Sequence, residues 1–145
     1  MRLTFWLFLF VVSCTSNKPA SNKDRYEVMN DLWQNKANKS EVISALGANY
    51  QVAASGITYS FTTFNYPKSG HFFNQANQLT VQFIYLEKNE FETFNNKIKC
   101  PWKVEKKMVS SGHTVQTIEY GECKSLGIKY TYPSNLNTYE IRWEK

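Results

Sequence analysis

Histidine is nearly missing from this chain, and with it most of the chemistry a small protein could perform. The two that occur, His71 and His113, lie far apart in 145 residues, and neither has a cysteine or carboxylate at ligand spacing. His-x-Glu and His-Glu-x-x-His patterns are absent, which excludes the familiar zinc-hydrolase and deaminase signatures. Glycine is also scarce, at six residues, and none form a phosphate-cradling loop or a Gly-x-Ser-x-Gly elbow. No cofactor is implied. The basic side chains outnumber the acidic ones by 17 to 12, but Lys36, Lys39, Lys97, Lys99, Lys103, Lys106, Lys107, Lys124 and Lys129 are dispersed and never form a run of five. A nucleic-acid partner is therefore not expected. Long apolar runs are missing with one exception, Leu3 to Val12, and that run is about half of the ~20 residues a spanning helix requires.

The exception has the layout of an export signal: Arg2 gives a positive end, Leu3 to Val12 the apolar stretch, and Ser13 a small residue at the cut. Val11-Val12-Ser13-Cys14 resembles the lipobox of bacterial lipoproteins. The resemblance implies that the Cys14 thiol receives a diacylglyceryl group, that residues 1–13 are removed as a signal peptide, and that a further chain such as palmitate caps the new amine. Each buried methylene then contributes roughly 0.8 kcal/mol, so several chains anchor almost permanently. Thr15 after the cysteine resembles the sorting pattern for the outer membrane, which implies a bacterial cell-envelope location facing the periplasm. An ordinary cleaved signal with a chance cysteine is the alternative. Loss of Arg2 with the signal leaves 16 basic against 12 acidic side chains, or +4.

Residues 15–23 are small and polar with one proline, the composition of a flexible tether, so that 14–23 form a lipidated linker and 24–145 a single folded domain. Apart from Cys14, the chain has an even pair, Cys100 and Cys123, which in an exported protein reads as a disulfide. Closing that 24-residue loop stabilises by roughly 3 to 3.5 kcal/mol in the chain-entropy picture. Two free buried thiols are the alternative.

Tyr26, Met29 and Trp33 recur at helical spacing between Asp24 and Lys36. A second helix opens on Asn38 with Glu41 three residues on, the pattern of a capping box, and stops at Gly47. Beyond it the period changes to two. Ile57, Tyr59 and Phe61 share one face of a strand, and Leu79, Val81, Phe83 and Tyr85 share one face of another. Phe91, Phe94 and Ile98 return to helical spacing between Asn89 and Lys99. Four more strands follow, at Trp102 to Val109, Thr114 to Gly121, Gly127 to Tyr132 and Thr138 to Glu144. The expected fold class is α+β: an N-terminal helix pair packed on a mostly antiparallel sheet, with a third helix inserted between strands.

Residues 38–47, Asn-Lys-Ser-Glu-Val-Ile-Ser-Ala-Leu-Gly, followed by the aromatic strand at Ile57 to Phe61, resemble the opening of the SmpA/OmlA/BamE family of outer-membrane assembly lipoproteins. The likeness covers roughly residues 26–64. It departs from the family at Lys36-Ala37 before the cap and at Ala48-Asn49 after the glycine. It implies a helix pair leading into an antiparallel sheet and a role as an assembly scaffold.

Three places invite a functional reading. Glu87, Glu90 and Glu92 gather at the start of the third helix, where they either pair as acids or complement its positive end. Tyr130, Tyr132, Tyr139 and Trp143 form either an aromatic platform for a ring-shaped ligand or part of the core. The segment Asn65 to Gln78 carries Tyr66, His71, Phe72 and Phe73, and reads either as a projecting interface loop or as a loop tucked onto the core. With no metal ligands and no catalytic set, the sequence describes a lipid-anchored, non-enzymatic envelope protein. It acts as a protein-interaction or scaffold module in outer-membrane assembly or maintenance, with the membrane and other envelope proteins as partners. The competing reading is a periplasmic inhibitor or ligand-binding protein that uses the 65–78 loop. Oligomeric state is left open.

Overall fold

A computed structural model describes residues 23–60, 68–112 and 114–144. Cys14, the signal, most of the tether, Tyr66 and His113 lie outside the described residues. Helix α1 spans Arg25–Gln34 and α2 Lys39–Leu46. Both begin on reciprocal caps. The Asp24 carboxylate accepts from the Tyr26 and Glu27 amides while Glu27 accepts from the Asp24 amide, and Asn38 and Glu41 do the same for α2. These pairs satisfy amides that would otherwise be orphaned at each helix start.

Among the described residues, eight strands form one antiparallel sheet: β1 Gln51–Ala53, β2 Gly56–Tyr59, β3 Ser69–Phe73, β4 Leu79–Glu87, β5 Lys103–Ser111, β6 Thr114–Cys123, β7 Ile128–Pro133 and β8 Thr138–Glu144. Their spatial order is β1-β2-β3-β4-β8-β7-β6-β5. Two meanders therefore meet at the β4–β8 seam, and the chain crosses from β4 to the far edge through α3, Lys88–Ile98. Cys100, just past α3, is bonded to Cys123 at the end of β6, with Cα atoms 6.1 Å apart. The bond staples this crossover to the sheet beneath it.

The three described α-helices sit on one face. Met29, Leu32, Val42, Leu46 and Phe94 pack there against Ile57, Ile84, Leu86, Ile128, Ile141 and Trp143. Arg25 pairs with Glu90, and Lys97 with Asp24, so that charge ties α1 to both ends of α3. Phe91 of α3 lies flat on Tyr139, with centroids 4.0 Å apart and planes at 3°, and meets Tyr130 edge-on at 5.0 Å.

The structure corrects the sequence reading at four points. Helix α1 stops at Gln34, two residues short of the span expected from periodicity, and Lys36 adopts positive φ just beyond it. The short edge strand β1 was not expected. Ser69–Phe73, expected within a loop, is an internal strand of the sheet. Finally, Leu79 does not share a face with Val81, Phe83 and Tyr85. A register shift in the β3–β4 ladder, where Phe72 pairs with Val81 but Phe73 with Leu79, turns Leu79 into the core. The buried row of β4 is Gln82, Ile84 and Leu86, and the aromatic row faces the other way.

Candidate functional site

No described element covers the opposite face of the sheet. Register places its side chains in rows across the strands. Gly70, Phe83, Arg142, Lys129, Glu122 and Lys103 form one row from β3 to β5. Tyr85, Glu140, Thr131, Tyr120 and Glu105 form the next. The face thus divides into an aromatic half on β3–β4 and an ionic half on β5–β8.

In the aromatic half, Phe72 stacks on Phe83 at 6.1 Å, and Tyr85 meets Phe83 edge-on at 5.6 Å. Gly70 makes this possible, because a Cβ there would lie 2.5 Å from Cε1 of Phe83. Cations border the rings: Arg142 lies 5.5 Å from the Phe83 centroid and Lys68 5.9 Å from that of Tyr85. Burial and the nearby Glu140 carboxylate raise the Tyr85 hydroxyl above the usual phenol range. It is therefore a neutral donor at physiological pH.

The ionic half is a shallow depression of about 500 Å³. Arg142 Nε donates to Glu140 at 2.8 Å, Lys129 Nζ to Glu144 at 2.6 Å, and Glu105 sits between Lys103 and Lys107 at 3.4 and 3.6 Å. Those two lysines hold the Glu105 carboxyl below the usual range, and Glu144 holds the Lys129 ammonium above it. Paired charges of this kind give a surface with local sign but little net field. Such a surface suits a polar protein partner better than a phosphate or a polyanion.

The residues singled out from sequence are distributed as follows. His71 is fully buried, between Ile57 and Gln82 on the helix side of the sheet, with Tyr59 edge-on at 5.8 Å and Ser69 Oγ 3.4 Å from Nε2. Burial lowers its pKa to about 4, so the ring is neutral. It offers no surface contact. Phe73 is half-buried against the core, and of the described candidates only Phe72 reaches the open face. Tyr130, Tyr139 and Trp143 belong to the packing beneath α3, with Tyr132 stacked on Tyr139 at 4.2 Å, so these rings act as core and not as a ligand platform. Glu90 accepts from the Glu87 amide and pairs with Arg25, and Glu87 and Glu92 are exposed. Among the described residues, no group of three His, Cys, Asp or Glu side chains could hold a metal ion.

Sequence reasoning missed the open face as a whole. Its signal was present in the alternation of β4, but the Val81, Phe83, Tyr85 row carries the larger apolar side chains, while the buried row carries Gln82. Compared with protein families, curated proteins and solved structures, the chain matches none. No helix among the described residues is long and apolar enough to cross a membrane.

Proposed function

We propose that this chain is a lipid-anchored, non-enzymatic protein of the bacterial envelope that works by binding another envelope protein on the uncovered face of its sheet. One observation carries the binding part: among the described residues, an eight-stranded sheet shielded by helices on one side only, with Phe72, Phe83 and Tyr85 clustered on the other beside a field of neutralised charges. Aromatic rings next to paired charges are what interface centres and their rims are made of. The anchoring part rests on Arg2, the apolar run, Cys14 and the polar stretch 15–23. The likeness of residues 26–64 to outer-membrane assembly lipoproteins supports assembly or maintenance of that membrane as the setting. We favour the sheet face over the 65–78 loop as the binding element because Ser69–Phe73 is built into the sheet and His71 is fully buried.

The test is photo-crosslinking in intact cells, with a photoreactive amino acid at Phe83 or Tyr85 on the open face and at exposed Asn89 on α3 as control. A discrete membrane-protein adduct is expected from the sheet positions only. Adducts from Asn89 alone, or from none of the three, would contradict the proposal.

A further inference from the structure

The sheet ends on β5, and that edge is unusual. It runs nine residues without proline, and its ladder with β6 is unbroken from Lys103↔Glu122 to Ser111↔Thr114. Residues 103–110 are all exposed, and no described element bonds the outer side of the strand. The hairpin also outreaches its neighbour, since β7 pairs with β6 only from Ile118 onward. The projecting arm carries Met108, 77% exposed, and Val115, 61% exposed, with Val104 further along the same face. A bare edge of this length with apolar side chains is a template for another strand.

The side-chain order of β5 identifies that strand. We propose that β5 pairs antiparallel with β5 of a second copy of this chain, with Lys106 on the two-fold axis, joining two sheets into one. In this register Val104 lies opposite Met108 of the second copy and Glu105 opposite Lys107 of the second copy, and symmetry repeats both pairs. One face thereby gains two apolar patches, each formed by Met108 of one copy and Val104 of the other with Val115 beside them, on either side of the Lys106 pair, while the other face gains two opposite-charge pairs. The Lys106 side chains meet at the axis, and each has Glu119 of its own chain 4.0 Å away to offset the repulsion. The neighbouring same-face registers are worse. One sets Glu105 against Glu105 and Lys103 against Lys107, and the other sets Lys107 against itself and Glu105 opposite Val109. The lysines that usually block edge pairing here select a single register and stop the sheet from adding strands indiscriminately. This pairing leaves the face through which a partner is proposed to bind uncovered, and it stands without that proposal.

The experiment uses the full chain in membranes and in detergent. A single cysteine replaces Lys106, whose side chain is 71% exposed, so that folding is not at stake. Under a mild oxidant, Lys106→Cys is expected to yield a covalent dimer, while Ser110→Cys and the unsubstituted chain form no covalent link between copies. In sedimentation equilibrium, Lys107→Glu or Glu105→Lys should each weaken dimerisation roughly tenfold or more, because two favourable pairs become two repulsive ones. The double exchange Glu105→Lys with Lys107→Glu should restore it. Equal cross-linking at 106 and 110, a monomer at every concentration, or charge reversals that are not rescued by the double exchange would each overturn the proposal.

Discussion

Protonation of His71 is the sharpest handle on the folded state. The ring is sealed on the helix side of the sheet, and the described groups around it (Tyr59, Ser69, Gln82 and Ile57) carry no charge to compensate an imidazolium. Tyr59 itself is raised to about 12 by burial and stays neutral. With the folded pKa lowered from 6.5 to about 4, the unfolded chain takes up the proton first as pH falls. Stability from this residue is therefore complete above about pH 6.5 and declines as pH drops toward 4. The loss is about 1 kcal/mol at pH 5.5 and about 3 kcal/mol at pH 4, at 1.36 kcal/mol per pKa unit. Urea unfolding of the wild type and His71→Leu at pH 7.5, 5.5 and 4 isolates this term, since other acid-sensitive groups cancel in the difference. The gap between the two proteins should close, or reverse in favour of leucine, by about 3 kcal/mol across the range. Parallel profiles would mean that the ring is solvated or paired with an acid, and the argument from burial would fail.

Three further outcomes test the packing. Phe91→Ala removes a ring that touches Tyr139, Tyr130, Trp102 and Phe94, and should cost about 3 kcal/mol in thermal or chemical unfolding. Gly121→Ala would thrust a Cβ into the Tyr130 ring, which Phe91 and Trp102 hold in place, and should cost about 2 kcal/mol, whereas Gly112→Ala, with open space around it, should cost less through its positive φ alone. Cys100→Ser with Cys123→Ser should lower stability by about 3 kcal/mol, read as a drop in denaturation midpoint that matches the effect of reductant on the wild type.

What could be read from the chain follows from how each segment is stabilised. The caps of α1 and α2 are local, so Asp24–Glu27 and Asn38–Glu41 declare themselves in sequence. β8, Thr138–Glu144, begins and ends where its alternation does. β3 was invisible because two of its inward positions are Ser69 and His71, polar residues that become core beside Gln82 of β4. Gln82 Nε2 donates to the Met29 carbonyl at 2.6 Å, a contact made across 53 residues that no local pattern encodes. The open face was hidden for a related reason. Alternation tells that one side of β4 differs from the other, but which side the helices cover depends on the register shift at Phe72–Phe73 and on the path of α3. The Cys100–Cys123 bond, by contrast, was legible from the pair of cysteines left once Cys14 is set aside on the lipobox reading.

Anchoring through Cys14 is tested most directly by the mass of the intact protein extracted from membranes. The expected species begins at Cys14, carries acyl chains on that residue, and is two hydrogens lighter than the fully reduced chain because of Cys100–Cys123. The Cys14→Ser variant should lose both the acyl mass and the membrane fraction. A wild-type product that starts elsewhere without acyl groups, or a serine variant that fractionates and is processed like the wild type, would contradict the account.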